Sequence, residues 1–148
     1  MPPLFRTPSS LVSTNGGLLY ARWWGVLGAL SAGLSVVFSA AFAHLPMFAG
    51  GVPVMVQTAL TQQQFHSLGL LLTGLALRVC GTSRWLQMAG GFMLAGLVLF
   101  SFNLYARHLL GFDALRALVP WGGGAWILAW VCLAVGFAQG QAKRFDLD

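Results

Sequence analysis

The chain has 148 residues, of which 57% are hydrophobic and only 7% are charged, with a formal net charge of +5. A soluble domain carries about 25% charged residues, so this composition excludes an ordinary water-soluble protein. The two cysteines are too few for a disulfide framework, and no phosphate-binding loop, nucleophile elbow or dinucleotide-binding motif is present. The basic residues lie at the ends of apolar segments, which favours membrane topology and lipid headgroups over nucleic acid as their role.

The first membrane helix is predicted at about 24–44, after a flexible segment over 1–22 that is rich in proline and serine. Trp23 and Trp24 lie where an interfacial aromatic anchor belongs. Small residues recur along this helix at alternating spacings of three and four: Gly25, Gly28, Ala32, Ser35 and Ser39. This spacing predicts a face that the backbone of another helix can approach closely.

The second helix is predicted at about 62–80, and the run after Pro53 allows a short interfacial helix before it. Its small and polar residues form one stripe: Gln62, His66, Gly69, Thr73, Ala76 and Cys80. The stripe predicts that the side chain of His66 points into the bundle.

The third helix is predicted at about 86–105, a stretch of twenty residues that contains no Asp, Glu, Lys, Arg or His. A helix of that length rises about 30 Å, which matches the hydrocarbon core of a bilayer. Ala89, Gly96 and Asn103 are spaced by seven residues, so Asn103 is expected close to the bundle interior.

The fourth helix is predicted at about 120–137, because Pro120 suits a first helical turn. Another stripe of small residues runs along it: Gly122, Ala125, Ala129, Cys132 and Gly136. Both cysteines are interpreted as small packing residues rather than as a disulfide. Residues 139–148 are predicted to form a charged, solvated tail.

Together these elements predict an all-α integral membrane protein, a four-transmembrane-helix bundle over residues 23–138. Six basic residues lie on the side of the two termini and the second connection, and two, Arg107 and Arg116, lie on the other side. The positive-inside rule therefore predicts both termini on the cytoplasmic side. The expected location is a bacterial inner membrane, with the mitochondrial inner membrane as the alternative.

Three sequence stretches resemble the YgdD-like family, a domain of unknown function that includes small bacterial inner-membrane proteins and transmembrane protein 256. They are QQFHSLGLLL in the second helix, AGLVLFSFNLY in the third and LVPWGGGAWILAW at the start of the fourth. FAHL at the end of the first helix resembles the family's G-A-H-G element. The resemblance implies a four-helix membrane protein and adds no mechanism.

The candidate functional or packing positions are His44, His66, Asn103, Tyr105, Pro120, Gly122 and Gly123. On the predicted topology all three histidines, including His108, fall at the outer ends of helices. Imidazoles gathered at one membrane face can hold a metal or relay protons, and they can equally form local hydrogen bonds in the headgroup region. Asn103 either lines a small polar cavity or links helices by hydrogen bonding.

The favoured function is a non-enzymatic accessory or assembly subunit of a larger membrane complex, of which a respiratory complex is one example. The alternative is a small transporter or channel with an outer vestibule built from His44, His66 and Asn103. A membrane enzyme ranks third, because no acidic residue lies inside a predicted span. The expected partners are the lipid bilayer and other membrane subunits or a second copy. No cofactor, metal or nucleic acid is expected.

Overall fold

Four helical rods make up the part of the chain that the computed structural model describes, which is the backbone of residues 8–145 and the side chains of residues 19–140. In chain order the segments are α1 (Pro8–His44), a 3-10 turn (Pro46–Phe48), α2 (Val54–Val79), α3 (Arg84–Gly96), a π-helical segment (Leu97–Phe102), α4 (Asn103–Leu110), a second 3-10 turn (Arg116–Leu118) and α5 (Val119–Phe145). The segments α3, π and α4 run on without a break as the third rod, Arg84–Leu110. The predicted all-α four-helix bundle is confirmed.

Three stretches are long and apolar enough to cross a membrane, judged by length and composition: Leu19–His44, Arg84–Leu110 and Arg116–Gly140. The remaining helix, α2, has 26 residues, but residues 57–64 contain four glutamines and two threonines. Several polar side chains of α2 are buried among the other rods instead of facing lipid, among them Gln63, Ser67 and Thr73.

The helices α1 and α2 pack antiparallel with their backbones in direct contact. A Cβ atom on Gly28 would lie 2.6 Å from the amide nitrogen of Leu71, and one on Gly74 would lie 2.6 Å from the amide nitrogen of Gly25. Only residues without a side chain allow this approach, so the predicted close-packing face of the first helix is confirmed at Gly28 and at the buried Ser35, whereas Ser39 is exposed.

The helix α5 packs antiparallel on the third rod, and here glycines receive large side chains. The indole of Trp126 lies against Gly96, and the side chain of Leu86 lies against Gly136. A Cβ on Gly122 would come within 2.7 Å of the amide nitrogen of Phe100, in the π-helical segment. The small stripe predicted on the fourth helix therefore faces the third rod.

The element bounds differ from the prediction in several places. The segment 1–22 was expected to lack regular structure, but α1 begins at Pro8, a residue well suited to a first turn, and residues 1–7 lie outside the described residues. A separate interfacial helix after Pro53 does not form, because no glycine or proline interrupts the chain from there to residue 68, and α2 is one helix from Val54.

The charged tail also differs in part, since α5 continues to Phe145 and residues 146–148 lie outside the described residues. The alternation of four antiparallel rods places Pro8 and Phe145 at one end of the bundle, called here the terminal end. The other end, called the His44 end, carries the ends of α1 and α4 and the starts of α2 and α5. A cytoplasmic location of the terminal end stays a prediction.

Candidate functional site

A buried polar network joins three rods near the middle of α2. The side-chain amide of Gln63 donates to the carbonyl oxygen of Ser31 at 3.0 Å and accepts from the hydroxyl of Tyr105 at 2.9 Å. The hydroxyl of Ser67 donates to that of Ser31 at 2.7 Å. Gln63 and Ser67 are fully buried, and the network satisfies both ends of the Gln63 amide. Its geometry suits a structural tie between helices.

Tyr105 lies in an aromatic shell that closes the His44 end. Its ring meets Phe38 edge-on at a centroid distance of 4.9 Å and lies 5.5 Å from Phe42. Phe42 in turn meets Phe48 of the 3-10 turn. The tyrosine that the sequence singled out is therefore a core residue with its hydroxyl already paired.

Asn103 holds the third connection, residues 111–118 between α4 and α5, against the bundle. Its Nδ2 atom donates to the carbonyl oxygens of Leu99 at 3.1 Å and Leu115 at 2.7 Å. The same connection carries an ion pair of 2.8 Å between Nε of Arg107 and Oδ1 of Asp113. Of the two roles considered for Asn103, the contacts match hydrogen bonding between segments.

The three histidines lie at different depths along the bundle axis, which corrects the expectation that all of them lie at outer helix ends. Because α2 begins at Val54, His66 lies twelve residues inside it, about 18 Å along the helix axis. His44 ends α1 and is exposed, and His108 is half-buried with Nδ1 bonded to the carbonyl oxygen of Leu104 in its own helix. Among the described residues, no group of three or more His, Cys, Asp or Glu side chains is placed to hold a metal ion.

His66 is buried and its ring is fixed on two sides. It stacks on the indole of Trp126 with a centroid distance of 3.8 Å and an interplanar angle of 5°. Its Nδ1 lies 2.9 Å from the carbonyl oxygen of Gln62. A carbonyl oxygen only accepts, so Nδ1 carries a proton, and in the neutral imidazole Nε2 is the acceptor. The predicted inward orientation of His66 is confirmed.

The stacked pair lines a cleft of about 260 Å³ between α2 and α5. Phe100 of the π-helical segment forms another wall, 5.0 Å from the ring of Trp126. The remaining lining residues are Gln62, Gly123, Ile127 and Trp130. Single π-helical turns within an α-helix are rare and are frequently found at functional sites. This cleft, called here the His66 cleft, is the candidate functional site.

The residues predicted near the start of the fourth helix have different positions. Gly123 lines the His66 cleft, Gly122 contacts Phe100, and Pro120 is exposed at the start of α5. The cleft also contains features that sequence reasoning did not identify, namely the stacking of Trp126 on His66 and the wall formed by Phe100. Trp126 and Trp130 are four residues apart, so they share a helix face, and that spacing is the sequence signal that could have found them.

The sequence model of a family described as a protein of unknown function, DUF423, matches residues 38–123. The chain belongs to the DUF423 family. The matched region contains His66, Asn103 and Tyr105 and ends before Trp126, so the family match covers one of the two stacked rings of the His66 cleft.

Curated relatives of this DUF423 chain are named UPF0382 membrane proteins. YwdK of Bacillus subtilis is 34% identical over 115 residues, which cover 74% of this chain and 91% of YwdK. The inner membrane protein YgdD of Escherichia coli is 30% identical over 126 residues, 83% of this chain and 95% of YgdD. No solved structure matches the chain. The predicted family and the multi-pass inner-membrane location are confirmed.

Proposed function

We propose that this DUF423 protein is a non-enzymatic accessory or assembly subunit, which binds a transmembrane helix of a larger membrane complex. One observation carries the proposal, an apolar groove of about 510 Å³ on the outer surface between α3 and α5. It is lined by Phe92, Ala95, Leu99, Trp121, Gly124, Ala125, Ile127 and Leu128. A groove of this composition offers surface for packing against another apolar helix.

The centre of the groove has room for a closely packed helix. Gly124 is exposed, and a Cβ atom built on it would meet nothing within 4 Å. Small residues on a lipid-facing surface let two helix backbones approach, and packing of this kind drives helix association within membranes. Trp121 borders the groove with 72% of its surface exposed and supplies a large apolar contact.

The buried polar groups favour a binding role over transport or catalysis. Gln63, Tyr105 and Ser67 are paired within the bundle. Thr73 is the buried polar side chain of α2 nearest its Val79 end among the described residues, and its hydroxyl donates to the carbonyl oxygen of Gly69. A transport pathway would need further polar groups from there to the terminal end.

The test is the native mass of the full-length chain, extracted in mild detergent from its own membrane. We expect the wild-type protein in a large complex at fixed stoichiometry. Gly124→Leu fills the groove and should release the protein from that complex. Gly33→Leu is the matched control, because Gly33 is also an exposed helical glycine with nothing within 4 Å of a built Cβ atom.

Two results would contradict the proposal. One is a wild-type protein that is extracted alone or as a small homo-oligomer. The other is a Gly124→Leu protein that stays in the complex as fully as Gly33→Leu does. Either result would rule out the groove as the binding surface for a helix of a larger complex.

A further inference from the structure

The His66 cleft contains an unused hydrogen-bond acceptor. Nδ1 of His66 is bonded to Gln62, and within the described hydrogen bonds no donor reaches Nε2. Nε1 of Trp24 is the one fully enclosed side-chain nitrogen or oxygen of the described residues that lacks a partner. Nε2 of His66 is therefore not sealed in the packing and has access to the cleft. The residue as a whole is 5% exposed, so this acceptor lies in largely apolar surroundings.

The acceptor is held rigidly in place. The indole of Trp126 covers one face of the imidazole, and its own Nε1 donates to the carbonyl oxygen of Met93 at 3.3 Å. The bond to Gln62 fixes both the ring orientation and the tautomer. A ligand that bonds to Nε2 would not have to order this side chain, which favours binding.

The size and walls of the cleft define what fits. A volume of about 260 Å³ equals that of roughly nine water molecules in the liquid, which is enough for a single six-membered ring. The aromatic rings of Phe100, Trp126 and Trp130 line it, and aromatic faces prefer offset or edge-on contact with another ring. Ile127 lines the cleft and is 69% exposed, so the opening faces the surroundings of the bundle rather than its core.

We propose that the His66 cleft binds a membrane-soluble aromatic alcohol, of the phenol or hydroquinol class, with an apolar tail. The ring packs in the cleft against the walls formed by Phe100, Trp126 and Trp130, its hydroxyl donates to Nε2 of His66, and the tail extends past Ile127 into lipid. The oxidised quinone form fits less well, because its carbonyl oxygens only accept hydrogen bonds. The binding involves no electron transfer and does not depend on the accessory role proposed above.

The test compares 4-decylphenol with its methyl ether, in which a methyl group replaces the hydroxyl proton and no hydrogen bond can be donated. The full-length chain, with ¹⁵N-labelled histidine, is placed in phospholipid nanodiscs. We expect the phenol to shift the Nε2 resonance of His66 and to bind about tenfold more tightly than the ether, measured by quenching of tryptophan fluorescence. Equal affinities of the phenol and the ether would overturn the proposal, as would dioctanoylglycerol, an aliphatic alcohol, binding as tightly as the phenol.

A variant pair gives a second readout. His66→Phe keeps a ring against Trp126 and removes the acceptor, so the affinity for 4-decylphenol should fall about tenfold. His108→Phe is the matched control, because Nδ1 of His108 bonds to the carbonyl oxygen four residues earlier, as in His66. Wild-type affinity in His66→Phe would overturn the proposal. If His66→Phe does not fold, the comparison of phenol and ether on the wild-type chain decides.

Discussion

The hydroxyl of Tyr105 donates a hydrogen bond of 2.9 Å to Oε1 of Gln63, and both residues are buried. The same glutamine donates to the carbonyl oxygen of Ser31 at 3.0 Å. One amide group therefore links α1, α2 and α4. Because Gln63 and Tyr105 are buried, each member of this link depends on the others for its hydrogen bonds.

Removing the hydroxyl tests this link. Tyr105→Phe leaves Oε1 of Gln63 without its donor, and we expect the free energy of unfolding to fall by about 1 kcal/mol, the usual scale of such a bond within a membrane. The measurement is an SDS titration of the protein in a mild detergent. Tyr20→Phe is the control, because Tyr20 is 49% exposed, and it should unfold as the wild type does.

The contact between α1 and α2 should be intolerant of even one methyl group. In Gly28→Ala the new Cβ would lie 2.6 Å from the amide nitrogen of Leu71 and 2.8 Å from the carbonyl oxygen of Ser67. Both atoms belong to the backbone, so the helices must separate, and we expect a loss of about 2 kcal/mol in the same titration. Gly33→Ala adds the methyl group to an open surface and should lose nothing. Equal stability of the two variants would contradict this packing.

A different glycine couples the third rod to the His66 cleft. A methyl group on Gly96 would collide with the indole of Trp126, which stacks on His66. We expect Gly96→Ala to shift the tryptophan emission spectrum and to move the histidine ¹⁵N resonances of His66. Gly91→Ala, on the same rod with nothing within 4 Å of the built Cβ, should leave both unchanged. An unperturbed His66 signal in Gly96→Ala would disprove the coupling.

The third connection should depend on Asn103 far more than on the neighbouring ion pair. Asn103→Leu removes the donor to Leu115, and we expect a loss of about 1 kcal/mol on unfolding. Asp113→Asn weakens the ion pair with Arg107. The side chains of Arg107 and Asp113 are 34% and 67% exposed, so the free energy of unfolding should change by less than about 0.5 kcal/mol. The same SDS titration compares the two, and a larger effect of Asp113→Asn would reverse this ranking.

The sequence predicted the features that follow from hydrophobicity and from residue size. Uncharged stretches of membrane length indicated the helices, and the spacing of Gly28 and of Gly122 indicated which faces pack. The inward orientation of His66 followed from the same periodicity. These features depend on local patterns, which a single sequence displays directly.

Other features depend on which helix lies beside which, and no local pattern contains that information. The partner of Gln63 is 42 residues away, in Tyr105, and the partner of His66 is Trp126, in another helix. The predicted depth of His66 is wrong because the second helix is predicted to begin near residue 62, whereas α2 begins at Val54. In the fold, Gln63 is buried and paired.

The π-helical segment Leu97–Phe102 has a consequence for how the length of the chain can vary. Deleting one of its residues would turn it into a regular α-helix and leave Asn103 and Tyr105 facing Leu115 and Gln63, whereas deleting one residue of α3 would rotate both by about 100° around the helix axis. Residues 111–118, between α4 and α5, are all exposed, so a change in their number does not turn a buried helix face. Insertions and deletions among relatives should therefore gather in that connection, and any one-residue deletion in the rod should fall in the π-helical segment.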